Sequence, residues 1–485
     1  MTMFDEHDPS ILWVSADCGG RGEGTFDNPF GSIEGALAVT RPGSTIVLKN
    51  GVYSHDVTFD ISGDFDNPIR IAAETDGGAV IRGACWFFYD VSDLIVTGFT
   101  FRDSPHGSVS VMGSCRRNRF ADLTFVNCGS GESASCTLFF GGAGGSCNLV
   151  ENCTFERAPS APVATPERAT IGLMVGEGDR EHGAPIIDHI VRKNRFVNYD
   201  YGILVGGEDA DAGQCGHIIE YNSVEESRLE GILVKCGDTI VRGNLVLRSR
   251  KNSILIAAGT GSVVEANRLI DCSRGISIHG TDHTVSNNCI VRCGSHAIHA
   301  CGGSSLPIRQ AAANLIIESN TCVDCGTPAG AGGPDVFSLE RVAGVRIDAG
   351  VSCVIERNLF AGPGSACAGV LSSDGVLVAE NLATHACDAM TGVERGDVTF
   401  ACFDADDYTN DSGYGAAGWM VMPEGCNPRQ DVGEESEGYA EPPVFDDDDE
   451  EEPDEEVAVE QEGTVETGGE KFEEFMGRLY KPDVE

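Results

Sequence analysis

A small set of residues has the types and spacing to do chemistry on an acidic ligand. Lys235 ends the apolar run Gly-Ile-Leu-Val (231–234), and similar runs follow it. Steps of 22 residues lead from Lys235 to Ala257, His279 and Cys301, and the neighbouring position reads Leu233, Leu255, Ser277, His299. An amine in its neutral form takes a proton, and an imidazole gives or takes one near neutral pH. Such groups suit β-elimination in a uronate glycan, where a base removes the proton beside the carboxylate while a cation or donor neutralises the developing charge. Lys235 is the expected base, with His279 and His299 as expected acids or donors. Arg250, Leu233 and Ser277 are the expected lining of the substrate path. The acidic loops Glu177-Gly-Asp179 and Glu208-Asp209-Ala-Asp211 offer oxygens for a Ca²⁺ beside Lys235. Each residue also has a plainer reading: acidic loops in so acidic a chain are solvated surface, and a lone outward Lys or His is an ordinary polar residue.

These residues share a face only if a repeat positions them. Asn194, Asn222, Asn244, Asn267 and Asn288 each begin an apolar run, at steps of 28, 22, 23 and 21 residues, and a small residue then leads to a second run such as Gly-Ile-Leu-Val or Gly-Ile-Ser-Ile. Asn152, Asn320, Asn358 and Asn381 start weaker copies. Short strands that cannot bury an apolar face alone must stack. The reading is all-β: a single-stranded right-handed parallel β-helix, a solenoid of about ten coils. The leucine consensus of the competing leucine-rich repeat is absent. The repeated Asn would form an internal amide ladder, and Cys128, Cys272, Cys293 and Cys325, at a shared turn position, would stack as small buried residues. Residues 32–40 read as a short amphipathic helix that caps the open parallel edge. The expected layout is an extension over 1–10, the β-helix over 11–402, a cap or irregular segment over 403–430, an acidic disordered tail over 431–470 and a short amphipathic helix over 471–485.

The opening coils carry a resemblance. Val-Leu-Lys-Asn-Gly-Val-Tyr (47–53), Asn-Pro-Ile-Arg-Ile-Ala-Ala-Glu-Thr (67–75) and Ala-Val-Ile-Arg-Gly (79–83) resemble polysaccharide lyase family six, which includes chondroitinase B and the alginate lyases. The resemblance implies a right-handed β-helix, a Lys base at Lys235 and calcium ligands at Glu230 and Asn198. Two positions depart from the family: Arg228 stands where a second ligand Glu is expected, and Ala257 where a catalytic Arg is expected.

Charge bounds the partners. The chain has 76 Asp+Glu against 33 Lys+Arg, a formal net charge of −43. Residues 431–485 hold 23 acids and three bases, hence −20, which leaves −23 for the rest. Nucleic acid is excluded as a partner, since a phosphate backbone demands a basic face. No run approaches the ~18 apolar residues of a membrane span. Arg outnumbers Lys by 27 to six, a composition that points to a salt-loving organism. The N-terminus has no basic region followed by an apolar core, so cytoplasmic synthesis with free thiols is expected, without a secretory signal. The expected partner is an acidic polysaccharide or cell-surface glycan. The alternative is a non-catalytic glycan- or surface-binding β-helix, such as a virion tail-spike, which would be assembled without export and as a homotrimer.

Overall fold

The computed structural model describes residues 4–402 and 407–410, apart from 7, 9, 20–21, 130–133, 143, 160–168, 177–184, 208–212, 214, 303–310, 326–343, 349–350, 362–375, 384–392 and 396–399. They belong to the first of two units, Met1–Asn427. The expected tail and final helix lie outside the described residues.

The strands form three long parallel sheets that the chain visits in turn. The first has 14 strands, from Ile11–Val14 to Val376–Ala379. The second has 11, from Val57–Phe59 to Val345–Ile347, and the third has 14, from Gly51–Tyr53 to Val393–Arg395. A representative coil runs Ile218–Glu220 in the first sheet, Ser223–Glu225 in the third and Ile232–Val234 in the second. The chain is a right-handed parallel β-helix with more coils than the about ten expected. The extra coils lie mainly upstream, where the asparagine that marks the repeat is missing.

Packing follows from the register. Ile203, Ile232, Ile254, Ile276 and Ile298 stand on one another in the second sheet, as do Val205, Val234, Ile256 and Ile278. All are buried in one continuous core. β-Branched side chains suit this pleated stack, and each buried Val or Ile contributes about 1.5–3 kcal/mol. In the third sheet Phe101, Phe125, Phe155 and Phe196 stack at 5.1, 4.6 and 4.5 Å between ring centres. The expected helix is shorter than its amphipathic pattern. It spans Ile33–Leu37, with Ser32 Oγ accepting from the Gly35 amide at its start.

Two polar ladders run inside the stack. In the first, each Asn accepts the backbone N–H of the Asn one coil before through Oδ1: Asn194 to Asn222, Asn222 to Asn244, Asn244 to Asn267, Asn267 to Asn288, and on through Asn320 and Asn358 to Asn381. The amide nitrogens donate to carbonyls and to the next Asn, as Asn244 Nδ2 does to Ile219 O at 2.9 Å and Asn267 Oδ1 at 3.0 Å. Asn152 is a correction. It is exposed with φ +55°, and Cys153 fills the ladder slot, its N–H bonded to Asn194 Oδ1. The residue before the ladder position is in the left-handed region in coil after coil, Asn152 and Lys193 among them, and Asn tolerates that conformation well. Cys128, Cys272, Cys293 and Cys325 are buried thiols, as expected.

The second ladder was not foreseen. It lies at the corner before the first sheet and uses mixed residues. Asn118 accepts from the Leu94 amide, Asn148 from Asn118, His217 Nδ1 from His189 at 3.1 Å, and His283 Nδ1 from Ser262 at 3.0 Å. His189 and His217 are both 2% exposed, in the interior. Burial holds the His189 imidazole down to about 4, His217 well below its ordinary range, and His283 below it too.

Two predictions follow from the ladders. Asn244→Leu orphans the buried Asn222 N–H and Ile219 carbonyl, each costing about 1–3 kcal/mol, so a urea midpoint shift worth about 3 kcal/mol or more is expected. The second concerns acid. The ladder histidines are neutral when folded but take protons near pH 6.5 when unfolded, so the unfolded state binds more protons as pH falls below that value. Stability is therefore full above about pH 6.5 and declines toward pH 4, with His189 alone worth up to about 3 kcal/mol. His189→Asn keeps an acceptor of the kind found at Asn148 and should flatten thermal melting between these pH values.

Candidate functional site

The outward face of the second sheet carries the expected residues. Inward Ile232 and Val234 alternate with outward Leu233 and Lys235, as period two requires. Register fixes one outward column as Phe139, Met174, Leu204, Leu233, Leu255, Ser277, His299 and Arg346. It is apolar up to Leu255 and polar beyond. Leu204, Leu233 and Leu255 stand outside the core cluster yet are 2%, 5% and 3% exposed, so this part is covered rather than open.

Lys235 closes the strand Ile232–Val234 and is half-buried, its N–H bonded to the Val205 carbonyl at 2.8 Å. Gly206 packs against it at φ +94°. A Cβ there would come 2.8 Å from the Lys235 carbonyl carbon and 3.1 Å from its Cβ, so the glycine permits the close approach. One coil on stands Ala257, with no polar group to offer. His279, two coils from Lys235 and about 10 Å away by backbone spacing, is 3% exposed. His299 is about three coil spacings from Lys235, or about 14 Å. The three expected catalytic residues thus share a face, with His279 two coils and His299 three coils from Lys235.

Between them runs a covered polar chain. Ser277 Oγ donates to Asn252 Oδ1 at 2.6 Å, and Asn252 Nδ2 donates to Glu230 Oε1 at 3.4 Å. These residues are 5–7% exposed. Ser277 and Leu233 are therefore floor, not open lining. Arg250 is exposed in the turn ahead of the strand Asn252–Ile256.

The far end is a second polar group, of which the sequence pointed only to His299. Asp348 Oδ1 accepts from Arg346 Nε at 3.0 Å, and its Oδ2 accepts from the Gly302 amide at 3.0 Å. His299 Nε2 lies 3.0 Å from the same Oδ2, an ion-pairing distance without hydrogen-bond alignment. Arg346 Nη1 reaches His296 Nε2 at 3.3 Å. Burial lowers the His299 pKa; Asp348 opposes this, while Arg346 and Arg274 add to it. Burial alone would raise the Asp348 carboxyl, but the Gly302 amide, His299 and Arg346 outweigh it and hold it below the usual range. Arg346 stands 47 residues after its register partner His299, so the 22-residue step does not locate this strand.

The residues proposed for calcium have other partners. Asn198 sits at φ +63° in a turn, which itself favours Asn, and its Nδ2 donates to the Arg157 carbonyl at 2.9 Å. Glu230 accepts from Asn252. Arg228 turns its guanidinium onto Asp200, with Nε 2.7 Å from Oδ1 and Nη2 2.9 Å from Oδ2. Asp200 is fully buried and also accepts from the Thr170 amide at 2.7 Å and hydroxyl at 2.9 Å. Among the described residues a guanidinium, not a carboxylate, stands at the Arg228 position, so the calcium expectation rests on Glu230, Asn198 and the loop acids. Glu177, Asp179, Glu208, Asp209 and Asp211 lie outside the described residues.

The profile described as chondroitinase B matches residues 31–158, and the one described as a right-handed β-helix region matches 186–332. The chain resembles the polysaccharide lyases of family six. The family-six alginate lyase AlyGC superimposes with a TM-score of 0.65 at 17% identity, over 85% of this chain and 57% of that one. A mannuronic acid specific family-six lyase from human gut microbiota gives 0.56 at 19% identity, over 74% of this chain and 86% of that one. A family-six alginate lyase bound to a trisaccharide gives 0.54 at 16%, over 85% and 94%. This chain thus spans little more than half the length of AlyGC. No curated protein matches it by sequence. The chondroitinase B match ends well before Lys235, so the lyase-like signal and the candidate site occupy different coils.

Removing the Arg228 cation leaves Asp200 buried and unpaired. Arg228→Gln should cost about 3–5 kcal/mol in urea unfolding, and adding Asp200→Asn should recover part of it.

Proposed function

We propose that this protein engages an anionic, uronate-containing polysaccharide along the outward face of the second sheet and cleaves it by β-elimination, with Lys235 as the base. The observation that carries the reading is the placement of cations and imidazoles. Lys235, Arg274, His279, His296, His299 and Arg346 fall on four of five successive coils, in or beside the strands of one sheet, in a chain of net charge −43. A basic strip on so acidic a body has its natural complement in a polyanion lying along the coils. Likeness in fold to lyases whose described substrates are alginate and mannuronic acid supports the same class.

Each part of the strip has a separate task. Lys235 is flanked in its column by Gly206 and Ala257, so no bulky side chain stands beside it. In its neutral form it would accept the proton beside the uronate carboxylate; the glycosidic C–O bond breaks, the electron pair forms the ring double bond, and the leaving oxygen takes a proton. Arg346 and His299, held by Asp348, lie too far off for this step and would bind a carboxylate further along the polymer. Arg274 adds positive potential near them. The coil beside Lys235 is bare at Ala257, so the protein supplies no cation there to neutralise the reacting carboxylate. That observation keeps glycan binding without cleavage as the second reading.

The test uses alginate and chondroitin in high salt, with unsaturated product followed by ultraviolet absorbance. Lyase activity that falls at least about 100-fold in Lys235→Ala, with binding retained, supports the reading. Arg346→Ala should weaken binding with little effect on bound-state turnover. Ala257→Arg places a cation one coil from the base and should raise turnover, by up to about 100-fold for a well-aimed donor. Retention of the glycan without product in every variant would leave the binding reading standing and overturn the lyase.

A further inference from the structure

The corner between the second and first sheets holds a cluster with no part in the reading above. Cys236 directly follows Lys235, and its side chain turns into the core, fully buried. Cys215 is half-buried and His217 is 2% exposed. Their ligand atoms, two sulfurs and one ring nitrogen, all lie within 4.8 Å of one another. We propose that Cys215, His217 and Cys236 form a binding site for a thiophilic divalent cation, Zn²⁺, with solvent completing the coordination on the Cys215 side.

The donor set suits that ion. Zn²⁺ takes thiolate at about 2.3 Å and imidazole at about 2.0 Å, so the three atoms need only small side-chain rotations to converge on it. Two soft sulfurs select against Ca²⁺ and Mg²⁺, which prefer oxygen. Binding exchanges the two thiol protons for the ion, and the buried, neutral imidazole has no extra proton to lose. The cost lies at His217 Nδ1, which accepts the His189 amide. A metal at Nδ1 displaces that amide. A metal at Nε2 sends the ring proton to Nδ1, where it faces the amide. Either way one neutral hydrogen bond is exchanged for a metal–nitrogen bond.

Register also argues for an ion over a disulfide. The Gly237 amide donates to Gly213 O, and its carbonyl accepts from the Cys215 amide. Cys236 and Cys215 therefore lie diagonally across neighbouring coils, not opposite each other. A disulfide requires Cα atoms within about 7 Å and suitably directed Cβ vectors, whereas two thiolates reaching a shared ion tolerate a wider separation. The half-buried Cys215 gives the ion a route in from solvent.

The experiment titrates the reduced, metal-stripped full chain with Co²⁺ as a spectroscopic probe. The expected result is one Co²⁺ per chain, a thiolate-to-cobalt charge-transfer band in the near ultraviolet with tetrahedral visible absorption, and displacement of both by Zn²⁺. Cys215→Ser and Cys236→Ser should each abolish the band while retaining the far-ultraviolet circular dichroism of the fold. Cys85→Ser, in a distant coil, should leave it intact. No thiolate band, or a band that survives in both folded serine variants, overturns the proposal. So does air oxidation that links Cys215 to Cys236, read as a loss of two hydrogens by mass spectrometry, in protein that takes up no metal.

Discussion

The structure rests on the vertical hydrogen bond from one coil to the next. A parallel strand of three residues has few backbone partners of its own, and every turn leaves N–H groups inside the stack that water cannot reach. The asparagine ladder meets that demand. Each side chain accepts one buried amide from the coil before and donates to a carbonyl and to the next asparagine. Because every rung needs the rung beside it, the ladder transmits register along the solenoid, and register decides which side chains share the outer face. Lys235, Ala257 and His279 stand in one column because Asn222, Asn244 and Asn267 stand in another.

The same constraint sets what the sequence could reveal. Where the ladder is pure asparagine and the step is close to 22 residues, the alternation that puts Ile232 inward and Lys235 outward can be read directly. Where the rung changes chemistry, it cannot. Asn152 has the repeat's residue type but occupies a left-handed turn, with Cys153 behind it in the ladder. The corner ladder mixes Asn, His and Ser, any of which can accept an amide, so no single letter recurs. Arg346 and Asp348 were hidden for a different reason: the step from His299 to Arg346 is 47 residues, and a period cannot be projected across an insertion that long.

Burial was the other quantity the sequence could not supply. Alternation says which way a side chain points but not whether anything covers it. Ser277, Asn252 and Glu230 point away from the core and are nonetheless covered, and they satisfy one another as a polar chain. Arg228 shows the energetic side of the same point. A fully buried Asp200 requires a fixed cation, and the guanidinium provides it from within the chain.

Charge connects the scaffold to its ligand. At low ionic strength the potential of a body carrying about −23 outside its tail opposes any polyanion, and the basic strip acts only over short range. At ~1 M salt the screening length falls to ~3 Å, so the body's repulsion is confined to direct contacts, while the close ion pairs proposed for a polyanion with Lys235, Arg274 and Arg346 would persist. High salt then weakens the unfavourable long-range term more than the favourable contact term. An acidic shell and a basic strip are thus compatible in one molecule only when solvent ions shorten the reach of the first. On the proposed reading the chemistry at Lys235 would depend on its local neighbours, and Ala257, a methyl group one coil away, is the residue that would limit it.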